Sequence, residues 1–295
     1  MLSFERAVEA VESALRAQAN EQLVAPPRFN VPTPDGALVF TAGAETFREH
    51  VIGFRAYDTF HNELAGHEQL TAVFDARTGV FKGLVIGKAL GALRTAAINA
   101  VAVKHMARQQ VGLLGVLGTG FQAGYHLEAA LAVRDPKRVV VYSPNPDHRK
   151  RFAERMTAKL GRPVEAAAEA KAAVREADVL LCCTASPTPV FDAAWLRPGV
   201  HVNTIGPKFH DAHELPLEAA EGCHCLATDS LAQVEGFSKP FFLEGTPQRG
   251  RLVELCQIVA GKRAGRTANT DQTLFCSVGL AGTEVVIANE ALKHA

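Results

Sequence analysis

The chain has 295 residues, of which 47% are hydrophobic and 21% charged, and its 31 basic residues balance 31 acidic ones. This composition excludes a disordered chain and supplies enough apolar surface for two domains or one large one. A net charge of zero without a basic excess argues against nucleic-acid and membrane-surface partners.

The first segment of the chain predicts a helix. Apolar residues in 3–19 recur at helical spacing, and acidic residues occur too early for a secretory signal peptide. No apolar run reaches the roughly 18–20 residues that a membrane span needs. We therefore interpret the six cysteines as reduced thiols and expect a cytoplasmic protein.

Residues 25–109 predict a mixed region in which strands dominate. Four prolines and a glycine in 25–40 break the helical spacing, and short apolar runs separated by turn residues follow at 50–60 and 69–87. Such runs are typical of an antiparallel meander. Residues 92–109 are rich in alanine and predict a helix that ends this region.

From residue 111 the pattern changes to short apolar strands that alternate with helices. The predicted strands occupy 111–118, 138–143, 178–185, 199–206 and 223–229, and the predicted helices 121–134, 147–160, 168–176 and 248–260. This alternation indicates βαβ units on a parallel sheet. The final segment, 273–294, predicts a glycine-broken strand or turn and a helix, which we expect to fold back on the N-terminal region.

The sequence Gly118-Thr119-Gly120-Phe121-Gln122-Ala123 follows the first buried strand and opens a helix. In this context the pattern predicts a nucleotide-phosphate site, with a ligand-free turn as the alternative. Gly118 permits the tight turn, Gly120 lets the backbone approach a pyrophosphate, and Ala123 allows helix and strand to pack closely. The helix N-terminus, at Phe121 and Gln122, then offers free N–H groups to the phosphates.

The end of the next strand indicates which cofactor is bound. A carboxylate there would accept hydrogen bonds from the ribose 2′-hydroxyl of NAD. This strand instead ends at Ser143 and Asn145, and basic residues that include Arg149 follow. The pattern favours NADP, with NAD as the alternative because Asp147 lies nearby. We expect Asp147 to be the N-cap of the following helix.

The sequence resembles the ornithine cyclodeaminase/mu-crystallin family over nearly its whole length. Seven short motifs carry the resemblance: PPR (26–28), ALRTAAINA (92–100), GTGFQA (118–123), TASPTPVF (184–191), PGVHVNTIG (198–206), HEL (213–215) and SVGLA (277–281). Each motif alone is ordinary. Together, at these spacings, they are specific for the family, although not for one member.

The resemblance implies an α/β protein with a Rossmann-like doubly wound nucleotide domain and a mixed, β-rich domain for substrate binding and dimerisation. We place the NAD(P)-binding domain at 110–269 and the other domain at 1–109, joined by 270–295. Members of the family are dimers. They act with NAD(P) on amino acids or on the corresponding imines.

The resemblance leaves three activities open. The leading prediction is an NAD(P)-dependent imino acid reductase or amino acid dehydrogenase, which transfers hydride between nicotinamide and the α-carbon of a small α-imino or α-amino acid. Ketimines, pyrroline-carboxylate and iminosuccinate are candidate substrates. The alternatives are a cyclodeaminase-type lyase acting on ornithine or lysine, and a non-catalytic NADP-binding protein similar to mu-crystallin.

By resemblance, Arg28 and Arg94 bind the substrate carboxylate, a group that guanidinium holds in a bidentate manner. We expect Arg94 to open its helix and, with Thr95, to approach a cofactor phosphate. Where the family usually carries a lysine that can donate a proton, this sequence has Arg55. Arg55 is thus a candidate substrate ligand and catalytic residue, but arginine is a poor proton shuttle.

Two further segments are implied to line the site. Thr184, Ala185 and Ser186 follow the strand at 178–185, at the carboxyl edge of the predicted sheet, where ligands bind. By resemblance these three residues contact the cofactor. Ser277 and Val278 match the family segment that covers the nicotinamide and the substrate, with Ser277 assigned to the cofactor and Val278 to the substrate.

The segment IGPKFHDAHEL (205–215) follows the strand at 199–206, so we expect it to border the nicotinamide, with Gly206 in contact with the cofactor. Lys208 matches the position at which the family's cyclodeaminases carry an aspartate that acts on the substrate amine. A lysine there favours a reductase. In a reductase, Lys208 is a candidate catalytic residue that donates a proton to the imine nitrogen or hydrogen bonds to substrate or cofactor.

Clusters of histidine, cysteine and acidic residues raise the alternative of a metal site. The candidate sets are His210, His213 and Glu214, and His201 with Cys223, His224 and Cys225. Neither set has the spacing of a structural zinc site. We therefore predict no metal.

Overall fold

The apolar spacing of the first segment produces helix α1 (Phe4–Ala19), whose N-cap Ser3 accepts a hydrogen bond from the Arg6 N–H. The computed structural model describes residues 2–60 and 68–294. In that part of the chain, α1 is followed by an antiparallel sheet and then by a parallel one. No helix in the described part has the length and apolar character to cross a membrane.

The antiparallel sheet is built from β1 (Leu23–Val24), β2 (Phe29–Thr33), β3 (Gly36–Glu45), β4 (Val51–Asp58), β5 (Leu70–Asp75) and β6 (Phe81–Ile86). Its order is β1-β3-β4-β5-β6, and β2 pairs with β3. Thr41, Arg55 and Thr71 are register partners on neighbouring strands, and all three are buried. Because side chains alternate along a strand, Leu38 and Ile52 lie on the opposite face, where they are exposed.

The parallel sheet carries the helices and strands that the alternating pattern predicts. In chain order the remaining elements are α2 (Ala89–Met106), β7 (Leu113–Leu117), α3 (Phe121–Leu131), β8 (Arg138–Tyr142), α4 (Pro146–Leu160), β9 (Glu165–Ala166), α5 (Ala170–Val174), β10 (Val179–Cys182), β11 (His201–Thr204), β12 (Lys208–Phe209), β13 (Ala212–His213), α6 (Glu218–Glu221), β14 (Cys225–Thr228), α7 (Leu231–Glu235), β15 (Leu252–Glu254), α8 (Leu255–Val259), β16 (Thr273–Cys276) and α9 (Thr283–Leu292). The sheet order is β15-β14-β16-β11-β10-β7-β8-β9, and β12 and β13 form a separate hairpin.

Two sequence-based expectations differ from this structure. The predicted helix at 248–260 is divided into a 3₁₀ turn (Pro247–Arg251), strand β15 and helix α8. Strand β16 lies in the parallel sheet between β11 and β14, so the predicted boundary at residue 270 is wrong for this strand. The chain returns to the antiparallel sheet only after β16, and α9 then packs on β3, β4, β5 and β6.

The two sheets share one apolar core. Its largest cluster contains Val51 of β4, Ile98 of α2, Ala227 of β14, Phe275 of β16 and Ile287 of α9, all buried. Helix α1 packs against β1, α8 and α9, and helix α2 packs against β11, β16 and α9, so the two helices together join both sheets. Burial of apolar surface at about 25 cal/mol per Å² stabilises this junction in the same way as the interior of a single domain.

Candidate functional site

The glycine-rich turn has the geometry that a nucleotide phosphate requires. Gly118 has a φ of 100°, and a Cβ there would lie 2.4 Å from the carbonyl oxygen of Cys183, so no larger residue fits. A Cβ on Gly120, the N-cap of α3, would meet none of the described atoms within 4 Å. Ala123 is buried beneath the turn and Phe121 is half exposed. The open space in front of the α3 N–H groups fits a pyrophosphate.

The carboxyl end of β8 lies beside this turn and presents hydroxyl and basic groups. The Ser143 hydroxyl accepts a hydrogen bond from Thr119 Oγ1 at 3.0 Å, and Arg149 Nη1 donates to the Ser143 carbonyl oxygen at 3.0 Å. The N-cap of α4 is Asn145, which accepts from the His148 N–H at 3.0 Å. The prediction that Asp147 is the N-cap is wrong, because Pro146 already begins the helix.

A cavity of about 460 Å³ lies between the two sheets, next to the glycine-rich turn. Its walls come from β3, β4, α2, α3, the loop after β11 and the segment after β16. Of the residues predicted from the sequence, it brings together Arg28, Arg55, Arg94, Thr95, Gln122, Gly206, Lys208, Ser277 and Val278. Predicted cofactor residues such as Gly118 and Ser143 do not line this cavity.

Arg94 and Arg55 share a buried carboxylate inside the cavity. Arg94 Nη2 donates to Glu284 Oε1 at 2.5 Å, and Arg55 Nη1 lies 3.7 Å from the same oxygen. The Thr41 hydroxyl donates to this oxygen at 3.2 Å, whereas Oε2 has no partner among residues 2–60 and 68–294. Because α2 begins at Ala89, the expectation that Arg94 opens the helix is wrong. Arg94 instead lies in the second turn of α2.

The other contacts of these arginines fix their guanidinium groups. Arg55 Nη2 donates to Gln69 Oε1 at 2.6 Å, and its guanidinium carbon lies 4.3 Å from the centre of the Tyr57 ring. Burial lowers the pKa of Arg55, but a guanidinium remains charged at any working pH. Arg28 Nη2 donates to the Val278 carbonyl oxygen at 2.5 Å. Three positive charges thus converge on one cavity.

Thr95 and Ser277 lie where α2 meets the end of β16. The Thr95 hydroxyl donates within its own helix, to the Gly91 carbonyl oxygen at 2.9 Å. The Ser277 hydroxyl accepts from Asn99 Nδ2 at 3.0 Å and is buried. Asp229 holds the adjoining segment, accepting from the Val278 N–H at 2.8 Å and from the Gly279 N–H. The segment after β16 is therefore firmly anchored beside the cavity.

Lys208 reaches the cavity from the loop after β11. Its side chain is buried, and Nζ donates to the carbonyl oxygens of Gly206 at 2.5 Å and Thr204 at 3.3 Å. Burial lowers the pKa of Lys208. An ammonium carries three donors, so one remains for a ligand. The neighbouring loop begins at Thr184, whose N–H and hydroxyl both donate to Glu214 Oε2.

Several residues of the site were missed from the sequence. Tyr57 follows Arg55 by two residues, so strand alternation was a sufficient signal that both face the cavity. Glu284 lies among apolar residues in the first turn of α9, which is the pattern of a buried, paired charge. Asp229 gave no comparable signal, because it accepts from the N–H groups of the distant residues Val278 and Gly279. The sequence indicated Glu214 only as a possible metal ligand and as part of the HEL motif, and its hydrogen bonds with Thr184 and Thr204 were not predicted.

The comparison with known proteins agrees with these motifs. The model of the ornithine cyclodeaminase/mu-crystallin family matches residues 1–292. The chain belongs to this family. A Δ1-pyrroline-2-carboxylate reductase of Bacillus cereus is 32% identical to this chain. The match covers 96% of this chain and 89% of the reductase.

Two solved structures of similar sequence have the same fold as this member of the ornithine cyclodeaminase/mu-crystallin family. The Δ1-pyrroline-2-carboxylate reductase of Thermococcus litoralis, in complex with NADH and L-proline, has a TM-score of 0.89 and 29% identity over 99% of this chain and 93% of its own. An archaeal alanine dehydrogenase dimer with bound NAD has a TM-score of 0.88 and 25% identity over 100% of this chain and 94% of its own.

The side chains considered as metal ligands have other partners in this family member. His201 Nδ1 lies 2.8 Å from the Thr273 hydroxyl, and His213 Nδ1 lies 2.6 Å from the Leu215 carbonyl oxygen. Burial lowers the pKa of His201 to about 3. Within the described part of the chain, no group of three histidine, cysteine or acidic side chains is placed to hold a metal ion.

Proposed function

We propose that the protein is an NAD(P)-dependent oxidoreductase that reduces the C=N bond of a small α-imino acid to the amino acid. The observation that carries the proposal is the convergence of Arg28, Arg55 and Arg94 on one cavity beside the glycine-rich turn. Three guanidinium groups there suit the planar carboxylate of an α-imino acid. The similarity to pyrroline-2-carboxylate reductases supports the same class of substrate.

The bound cofactor supplies the hydride, and the side chains of this chain orient the acceptor. Arg94 and Arg55, held by Glu284, bind one side of the substrate carboxylate, and Arg28 binds from the Val278 side. Lys208 then donates a proton to the nitrogen as the α-carbon receives hydride. Burial lowers the pKa of Lys208, so its ammonium group is a stronger acid than that of an exposed lysine.

The lysine also separates this proposal from a cyclodeaminase. An ammonium group at the Lys208 position cannot accept a proton from a substrate amine while it is charged, whereas an aspartate can. We therefore propose little or no release of ammonia from ornithine or lysine. A non-catalytic binding protein remains the alternative from another class, and it would bind NADPH without turnover.

We further propose that the protein prefers NADPH, forms a homodimer and resides in the cytoplasm. Ser143 and Arg149 at the end of β8 favour a 2′-phosphate.

In the described structure, one apolar face of the antiparallel sheet is exposed to solvent, and Phe29 there is 57% and Ile86 66% exposed. A contiguous apolar surface of this kind is typical of a subunit interface. The six free cysteines suit a reducing compartment.

The proposal is tested by following NADPH and NADH absorbance with a panel of α-imino acids. Pyrroline-2-carboxylate is added directly, and linear imines are formed from keto acids with ammonia. We expect reduction of at least one of these substrates. If no imine is reduced while NADPH still binds, the protein is a binding protein. If ornithine is converted to proline at an appreciable rate, the reductase assignment fails.

The role of Lys208 is tested by Lys208→Ala and Lys208→Asp, with Lys171→Ala on the exposed surface as the control. We expect kcat of Lys208→Ala to fall by about 10²-fold or more, which is the usual contribution of a positioned general acid. Full reductase activity in Lys208→Ala would show that another group or water supplies the proton.

A further inference from the structure

Glu214 directly follows strand β13 and has no exposed surface. Its Oε1 accepts hydrogen bonds from the Thr204 hydroxyl at 2.7 Å, the Ile205 N–H at 3.0 Å and the Gly206 N–H at 2.6 Å. Oε2 accepts from the Thr184 N–H at 2.9 Å and the Thr184 hydroxyl at 2.7 Å. Both oxygens of this buried carboxylate are thus saturated with donors.

The donors belong to two loops that leave the carboxyl ends of neighbouring strands, β10 and β11. This edge of a parallel sheet is where a dinucleotide binds. A Cβ on Gly206 would lie 2.3 Å from the Thr184 carbonyl oxygen and 2.6 Å from Glu214 Oε2. The carboxylate therefore fixes the separation of the two loops, and glycine is required for their close approach.

Lys208 holds the same loop from the other side. Its Nζ donates to the carbonyl oxygens of Thr204 and Gly206, while the N–H groups of Ile205 and Gly206 face the carboxylate. A buried anion and a buried cation thus clamp one short stretch of backbone between them. Charge-assisted hydrogen bonds are about twice as strong as neutral ones, so this clamp is rigid.

Other charges surround Lys208, but Glu214 has the largest effect among them. The ionisable groups that influence Lys208 or are influenced by it are Glu214, Cys276, Asp229, Arg28, His126, Cys182 and Cys183. Burial lowers the pKa of Lys208, and the negative charge of Glu214 is the strongest influence in the opposite direction. His126 and the thiols are themselves buried and neutral near pH 7.

We propose that Glu214 is a positioning residue for hydride transfer: it sets the two cofactor-facing loops at Thr184 and Gly206 and holds Lys208 as the charged proton donor of the pocket. This inference rests on the proposed reductase function. Glu214 acts through the loops and through Lys208, and it does not itself touch the substrate. Its negative charge is required, because a glutamine would turn an NH₂ group towards some of the same donors.

The test compares Glu214→Gln with Glu218→Gln, an exposed acid on α6, as the matched control. For Glu214→Gln we expect kcat to fall by about tenfold or more, which corresponds to about 1.4 kcal/mol of activation free energy. We also expect the alkaline limb of the kcat–pH profile to move to lower pH, because the lysine loses the charge that favours its protonated form. Glu218→Gln should change neither quantity.

A second variant separates the charge from the geometry. Thr204→Val removes one donor to the carboxylate, keeps the side-chain shape and leaves the negative charge in place. We expect it to raise KM for NAD(P)H by about two- to tenfold, the effect of about one lost hydrogen bond, without moving the alkaline limb. In a Lys208→Ala background, adding Glu214→Gln should no longer shift the pH profile.

Each outcome bears on the inference. A folded Glu214→Gln variant with unchanged kcat and an unchanged alkaline limb overturns it. If Glu214→Gln does not fold, an unchanged cofactor KM in Thr204→Val overturns it instead. If the unmodified protein reduces no imine, the proposed function fails first. The positioning role is then measured as NADPH affinity by fluorescence, which Glu214→Gln should weaken and Glu218→Gln should not.

Discussion

Arg94 on α2 and Glu284 on α9 form a buried ion pair, with Arg94 Nη2 2.5 Å from Glu284 Oε1. Both side chains are almost inaccessible to solvent, and they line the cavity assigned to the substrate. The pair has two effects. It keeps Arg94 in a fixed orientation before a ligand binds, and it offsets part of the positive charge that attracts a carboxylate.

Arg94→Leu should abolish reductase turnover and leave the protein folded. Removing a buried, charge-assisted contact to the substrate carboxylate costs about 3–5 kcal/mol of transition-state binding. The measurement is kcat/KM for the best imine of the panel, with far-UV circular dichroism as the check on folding. Arg175→Leu, an exposed arginine on the nucleotide domain, is the control. Activity within about fivefold of the unmodified protein would place Arg94 outside the substrate site.

Glu284→Gln should destabilise the ligand-free protein and increase the stabilisation that a carboxylate ligand provides. Two buried arginines lose their counter-ion, which costs about 3–5 kcal/mol. A carboxylate in the cavity replaces it, so a ligand such as L-proline should raise Tm more in this variant than in the unmodified protein. Glu290→Gln on the same helix is the control. Equal ligand-induced shifts in Tm would contradict the assignment of the cavity.

Cofactor preference follows from the end of β8. The unmodified protein should show a higher kcat/KM with NADPH than with NADH, because Arg149 contacts the Ser143 carbonyl oxygen at the end of β8 and no acidic residue stands at Ser143. Ser143→Asp should reverse the preference by introducing an acceptor for the 2′-hydroxyl and a charge that repels a 2′-phosphate. An NADH preference of about tenfold or more in the unmodified protein would overturn this prediction.

The bare face of the antiparallel sheet should be the contact between subunits. Light scattering at micromolar concentration should give about twice the chain mass of 31.5 kDa. Ile52→Asp with Leu84→Asp places two charges on that face and should produce monomers, because desolvating them costs several kcal/mol. Leu217→Asp, exposed in the other domain, should leave the dimer intact. A monomeric unmodified protein would count against the proposed interface.

The free energy of unfolding should decrease at acid pH, over a pH range set by the pKa of Glu12. Its hydrogen bond with His105, followed by its contacts with Lys104, lowers the pKa of Glu12 from 4.5 to about 2. A lowered carboxyl pKa stabilises the fold above about pH 4.5, and this contribution disappears as pH falls towards 2. Glu12→Gln should cost about 1–3 kcal/mol at pH 7 and flatten the unfolding free energy between pH 5 and 2. Urea unfolding at several pH values measures both effects.

Sequence reasoning succeeded where one short segment determines its own geometry. Gly118 adopts a positive φ, and Gly120 leaves free space in front of its backbone. Because glycine has no Cβ, it permits both features, so the local sequence is sufficient to predict this turn. The apolar runs of β7, β10 and β11 likewise indicate buried parallel strands without further information.

The pairing of distant segments could not be obtained in this way. Arg94 and Glu284 are separated by 190 positions, and no local pattern states that α2 and α9 meet. Strand β16 lies between β11 and β14 because of tertiary packing. The apolar pattern of its residues predicts a strand but not its neighbours in the sheet. The segment at 248–260 has helical spacing, yet β-pairing of β15 with β14 prevails over it.

The apolar core that spans both sheets also limits how the protein can move. Hinged enzymes open along a thin, wet boundary between rigid lobes, but here α1 and α2 fill that boundary with close-packed side chains. Separating the lobes would expose this packing to water at a high free-energy cost. We therefore expect the cleft to keep a nearly constant width when ligands bind. Substrate entry and product release then depend on side-chain and loop rearrangements at the rim, and scattering profiles with and without ligands should coincide.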